Sequence, residues 1–289
     1  MEITSLYDGA GFVVVDLDAP SVPMVGVARC ARKVLRDGAT NLARAATYGL
    51  AAIGVDATGC SVGIDAEGDA RDDTVSGALA ALFALRPDAV LSPGKGLTTD
   101  DLANAGFGWL DTTERDERLV HGVVTAVTGM FDLAGTTIAV EPGAPCGDVV
   151  AARLAEAGAT VLTAAIPSGR PDTPPPDVWI VGSRNAVIDH HNVAFLSGSA
   201  IVASAPLAVS TRALAVANRE GARVLPDFVT SVGPLTVGIL DRGSFEDAFA
   251  AAMAPVLEAG DRGYLAACEL AEAHLDDHRH PLPFGRPMP

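Results

Sequence analysis

The chain has 289 residues, 49% of them hydrophobic and 19% charged, so it can bury a sizeable core and is not a disordered tract. Its formal charge of −16 repels phosphate backbones, and with no local basic patch to offset this, nucleic acid is excluded as an expected partner. No apolar run approaches the roughly 18 residues of a membrane span, and Met1-Glu2-Ile3-Thr4 lacks the basic-then-apolar order of a signal peptide.

In chain order, residues 11–17 read as an apolar, β-branched strand closed by Asp18-Ala19-Pro20, and 22–28 as a second strand. Helical spacing follows over 37–50, then a short strand at 61–64 and an Ala/Leu-rich helix over 73–85. A buried strand at 89–91 leads into the loop 92–96, whose glycines flank Lys95, and Asp100 and Asp101 are suited to cap a helix after it. A long helix spans 114–130. Then come a strand at 136–140, a turn at 141–147, a helix at 148–157 and a strand at 160–165, a unit that implies a right-handed crossover between parallel strands. The proline-rich stretch 167–176 is too stiff and polar for a core element. Strands at 178–181, 200–203 and 223–225 and helices ending at 220, 258 and 275 complete the pattern, with a loose tail after Asp276. The alternation predicts an α/β fold: an N-terminal α/β domain over 1–125, a C-terminal Rossmann-like domain over 126–289, and a central cleft.

Several segments resemble the glutamate/leucine/phenylalanine/valine dehydrogenases. Residues 23–29, Pro-Met-Val-Gly-Val-Ala-Arg, resemble that family's P-x-L-G-G-x-R, and 46–51, Ala-Thr-Tyr-Gly-Leu-Ala, resemble M-T-Y-K-N-A. Residues 133–140 resemble the strand entering its dinucleotide site, and 155–159 the end of the next helix. Residues 200–205 resemble I-V-E-G-A, 220–228 are close to R-G-x-x-V-x-P-D-F, and 263–267 resemble the last helix. The segments follow family order along nearly the whole chain. The resemblance implies an N-terminal domain for substrate and oligomerisation, a C-terminal domain for NAD(P), and reversible oxidative deamination of an amino acid.

That chemistry uses one lysine to anchor the substrate carboxylate, a second as general base in G-G-x-K, and an aspartate to move protons. Carried across without gaps, these positions hold Gly49, Ser61 and Gly94. The chain has only two lysines, Lys33 and Lys95, and none between them. The family's G-x-G-x-x-G falls on residues 142–147, Pro-Gly-Ala-Pro-Cys-Gly, where two prolines remove donors and only the last glycine is kept. The acidic residue expected on the adenosine ribose is Ala165, two expected asparagines are Pro206 and Ser231, and a helix and strand after 165 are missing.

The resemblance therefore implies a divergent member that has lost the dehydrogenase site. Lys95, Cys60, Asp56 and His121 are the candidate catalytic groups, and Arg29, Tyr48 and Ser61 the candidate substrate contacts. Gly143, Cys146 and Gly147 would touch a nucleotide if one binds, and a helix start at Cys146 would favour its thiolate. A plain reading stands beside each: an exposed loop lysine at 95, buried thiols or small turn residues at Cys60 and Cys146, a structural histidine at 121. Asp189-His190-His191 reads as a polar helix start rather than a metal cluster, and His274, His278 and His280 are tail residues, so no metal is expected. The four cysteines, Cys30, Cys60, Cys146 and Cys268, are far apart, which suits reduced thiols and a cytoplasmic location. The leading expectation is a cofactor-independent enzyme on an amino-acid-like small molecule, with NAD(P) disfavoured and a homo-oligomer implied by the resemblance. The alternatives are a non-catalytic pseudo-dehydrogenase with a hetero-partner and an NAD(P)-dependent oxidoreductase with a rebuilt site.

Overall fold

The computed structural model describes residues 1–17, 21–108, 111–169, 173–277 and 286–287. The expected strand stop at 18–20, the middle of the proline-rich stretch at 170–172, and the tail histidines His278 and His280 lie outside the described residues. The chain divides into two compact units: residues 1–112 with 235–239 and 271–287, and residues 113–234 with 240–270 and 288–289.

Unit 1 contains β1 (Glu2–Leu6), β2 (Gly11–Val15), β3 (Met24–Ala31), α1 (Arg36–Ala52), β4 (Thr58–Asp65), α2 (Arg71–Leu85), β5 (Val90–Pro93) and α3 (Thr99–Asn104). Its sheet has the order β1-β2-β4-β3-β5. The pairs β1–β2 and β2–β4 are antiparallel, and β4–β3 and β3–β5 parallel. One face carries Met24, Ala28, Cys60, Val62 and Ile64 against Val75, Leu79 and Leu82 of α2. The other carries Phe12 and Val14 against Ala39 and Ala43 of α1. The small residues of α1 let its backbone ride close over β4: a Cβ at Gly59 would lie 2.0 Å from the Ala43 carbonyl oxygen. The helix after the Lys95 loop has Thr98 as its N-cap residue, and of the two expected aspartates Asp101 takes part in the cap. Thr98 accepts the Asp101 N–H, and Asp101 accepts the Thr98 N–H in return, a reciprocal capping box.

Unit 2 contains α4 (Thr112–Thr128, from its second residue), β6 (Thr137–Val140), α5 (Gly147–Glu156), β7 (Thr160–Thr163), β8 (Val178–Val181), β9 (Ala200–Ala203), α6 (Thr211–Glu220), β10 (Arg223–Val224), α7 (Asp227–Thr230), α8 (Arg242–Glu258) and the first half of α9 (Gly263–Asp277). Its sheet is parallel throughout, in the order β10-β9-β8-β6-β7. The chain enters at β6, adds β7 on one side, and then adds β8, β9 and β10 on the other, which makes the β6/β8 boundary the switch point of a doubly wound fold. Among the described residues β7 is the last strand on its side of this sheet. Trp179, Val181, Ile201 and Ala203 pack against Val187, Leu196, Ala213 and Ala217 to form the core on one face.

Candidate functional site

In unit 1 the parallel strands β3, β4 and β5 aim their carboxyl ends at one edge, where open α/β sheets receive ligands. Alternation along β3 puts Met24, Ala28 and Cys30 in the α2-side core and Arg29 on the opposite face. The Arg29 Nη2 donates to Ser61 Oγ at 3.3 Å, and its Nε is buried with no hydrogen-bond partner. Burial pulls this guanidinium below its ordinary pKa. Beside it, a Cβ at Gly94 would lie 2.8 Å from Arg29 Cγ and 2.6 Å from Val27 Cγ1. The position where the resemblance expects an aspartate is thus one where any side chain would run into Arg29.

The other unit 1 candidates do not gather around this pair. Cys60 is the neighbour of Ser61 on β4 and therefore faces the opposite core, where it is 1% exposed and burial pushes its thiol up to about 12. Tyr48 is buried, and its hydroxyl donates to Glu272 at 3.2 Å, a carboxylate also held by Arg286 at 2.7 and 2.8 Å. That makes Tyr48 a cross-link between α1 and the last turns of α9. Asp56 is half-buried in the turn before β4. Lys95 is exposed, and its carbonyl, not its ammonium, joins the sheet by accepting the Cys30 N–H at 2.9 Å.

In unit 2, His121 sits on α4 with its ring edge-on to Phe245 and Phe249. Its Nε2 is 3.3 Å from Thr125 Oγ1 and its Nδ1 3.9 Å from Glu246. Gly143, Cys146 and Gly147 line the turn from β6 to α5. Cys146 adopts φ 55° as the residue before α5. Its thiol is pushed up to about 12, by burial and then by the Asp116 and Glu117 carboxylates. The expected thiolate-favouring helix start is therefore overridden by its surroundings. The Gly147 N–H is taken by the Ala144 carbonyl at 2.9 Å, Asp148 follows in the first turn, and Pro142 and Pro145 offer no N–H at all.

Across the switch point, Glu141 directly follows β6 and is nearly buried, 7% exposed. Its Oε2 accepts the backbone N–H groups of Gly182 at 2.9 Å and Ser183 at 3.1 Å, and its Oε1 accepts the Ser183 hydroxyl. A carboxylate of the chain itself occupies the donors at the carboxyl end of β8. Asp189 closes an Asx turn by accepting the N–H groups of His191 and Asn192. The rings of His190 and His191 lie side by side, centroids 3.8 Å apart and tilted by 40°, rather than diverging as they would on a helix. Among the described residues no group of three or more His, Cys, Asp or Glu side chains is placed to hold a metal, and no helix is long and apolar enough to cross a membrane.

Sequence reading overlooked two buried acids here. In the sequence Glu141 marks only the start of a turn, and its partners lie 41 and 42 residues away. Asp227, in the stretch resembling P-D-F, is 1% exposed. Its Oδ1 accepts the Phe228 N–H at 2.8 Å and the Tyr264 hydroxyl at 3.4 Å, while Oδ2 has no hydrogen-bond partner. Burial raises its pKa to about 7, against the pull of the Phe228, Val209 and Ala208 N–H groups. A lone acid between apolar residues was the available signal in both cases.

No family model matches the sequence, and no curated protein matches it. Solved structures do. A hetero-hexameric glutamate dehydrogenase from Thermus thermophilus, in its leucine-bound form, superposes with a TM-score of 0.74 at 19% identity, over 97% of this chain and 89% of that one. L-tryptophan dehydrogenase from Nostoc punctiforme gives 0.70 at 17%, over 96% of both chains. Glutamate dehydrogenase from Plasmodium falciparum gives 0.71 at 13%, over 96% and 82%. At these identities the likeness is one of fold, and it extends over both units.

Proposed function

We propose that this chain is a divergent homologue of the amino acid dehydrogenases that no longer carries out NAD(P)-linked deamination, and that unit 1 acts on a small amino-acid-like carboxylate held by Arg29. The observation that carries this reading is the Glu141 carboxylate seated on the Gly182 and Ser183 amides. In a doubly wound fold a dinucleotide lies across that crevice, its pyrophosphate on a glycine turn and a helix N-terminus. Here the crevice holds a fixed negative charge, the turn lacks donors at two prolines, and Asp148 sits in the first turn of the helix. These residues do not fit a pyrophosphate.

Arg29 supplies what the missing lysines would have given. Its guanidinium is half-buried and has Ser61 as its only side-chain hydrogen-bond partner among the described residues. A carboxylate can be accepted bidentately by such a fork. Thermal-shift titration separates the parts of the reading, because a ligand at 100 times its Kd stabilises the native state by about 2.7 kcal/mol. NADH and NADPH should leave the melting temperature unchanged. At least one of glutamate, leucine, tryptophan or their α-keto acids should raise it, and Arg29→Ala should abolish that rise. A shift with NADH, or reduction of NAD by any of these amino acids, would overturn the first half. Ligand shifts that persist in Arg29→Ala would overturn the second.

A further inference from the structure

A cavity of about 670 Å³ opens beyond the carboxyl ends of β6, β7 and β8 in unit 2. Its volume lies within the range of small-molecule sites, roughly 300–1,000 Å³. Both of its carboxylates are already spent, Glu141 on the Gly182 and Ser183 amides and Asp189 on those of His191 and Asn192. The Asn192 side chain is spent as well, accepting from the Asp189 N–H and donating to the Val187 carbonyl. What remains for a ligand is the Arg184 guanidinium, the His191 imidazole and the Ser168 hydroxyl, set beside the apolar surfaces of Ile166 and Phe195. Among the described residues no carboxylate pairs with Arg184.

We infer that this cavity binds a compact organic anion, with its charged head on Arg184 and His191 and an aromatic or branched aliphatic body against Phe195 and Ile166. Arg184 decides the sign: among the described residues it has no carboxylate partner, whereas Glu141 and Asp189 keep their charge but have their oxygens occupied by backbone N–H groups. Shape decides the size: the donor-poor turn at 142–147 has no place for a second phosphate. The inference shares with the proposed function only the premise that no dinucleotide fills the crevice, and it is independent of Arg29. The head can be a phosphate ester or a carboxylate, and both are bound by a guanidinium in the same way.

The test is isothermal titration of the full chain in phosphate-free buffer. Phenyl phosphate and phenylacetate probe the two heads, phenol and inorganic phosphate are the separate halves, and NADH is the dinucleotide arm. One aryl anion should bind at a single site at least about tenfold tighter than phenol or phosphate, and Arg184→Ala should weaken it by about tenfold or more. Arg184 is exposed, so the variant should keep its melting temperature, which separates lost binding from lost fold. Failure of both aryl anions at about 10 mM, or equal binding by Arg184→Ala, would overturn the inference and leave the proposed function standing. Displacement of the aryl anion by NADH would instead overturn the proposed function and reassign the cavity to a nucleotide.

Discussion

At the level of single residues, two buried acids have opposite solutions. Asp16 directly follows β2 with its side chain fully buried, and Arg44 of α1 meets it at 2.8 and 2.9 Å with 7% exposure of its own. Burial raises the Asp16 pKa, and Arg44 opposes that shift. Removing one partner leaves an uncompensated buried charge, so Arg44→Met should cost about 3–5 kcal/mol in urea unfolding, while Asp16→Leu with Arg44→Met should recover most of the loss. A double variant as weak as the single one would show that the pair itself, not the stranded charge, carries the stability. Among the described residues Asp227 has no such cation. Its folded-state pKa of about 7 exceeds the value of about 3.9 in an unfolded chain. The folded state therefore holds a proton that the unfolded state has released, and stability falls as pH rises from about 4 to about 7, levelling off above. Asp227→Asn should flatten that fall and make the protein more stable than the wild type at pH 8. An unchanged slope between pH 5 and 8 would remove Asp227 as its source.

Among the elements, what could be read in advance follows from burial. The strands at 178–181 and 200–203 are buried at every position, and their unbroken apolar runs identify them. By contrast, β1 is an edge strand exposed at Glu2, Ile3 and Ser5, with only Leu6 buried, so its residues show no strand period to read. The missing lysines and the altered glycine turn were legible because they are local absences. The Glu141 seat and the Gly94–Arg29 approach were not, because each joins segments 40 or more residues apart that the sequence does not link. The same logic separates two glycines of the α1–β4 layer. Gly38 lies in the first turns of α1 with nothing near a would-be Cβ, whereas Gly59 lies under the helix backbone. Gly38→Ala should stabilise the protein by about 0.5–1 kcal/mol through helix propensity. Gly59→Ala should destabilise it by about 3 kcal/mol or more, since backbone and not a flexible side chain must give way. Equal effects in thermal unfolding would mean that α1 does not rest on β4 as described.

For the whole molecule, the surplus of acid sets a background against which these local terms act. With 36 acidic and 20 basic side chains, one-to-one pairing would still leave 16 carboxylates over, and some acids draw more than one arginine. Glu114 shows this: Arg242 and Arg118 hold it down to about 2. Arg286 likewise holds Glu272 below the usual carboxylate range. Salt acts on the two populations in opposite directions. It screens the attraction within each pair, but those partners are in contact, where screening is weak. It screens the repulsion among unpaired surface acids far more, since they are separated by distances comparable to the Debye length, which shrinks from about 30 Å at 0.01 M to about 8 Å at 0.15 M. Self-repulsion of a highly charged chain disfavours the compact state. The melting temperature should therefore rise between about 0.01 M and 0.15 M sodium chloride. A fall over that interval would show that the ion pairs at Glu114 and Glu272 outweigh the dispersed acids, and that the surface charge is organised rather than merely excessive.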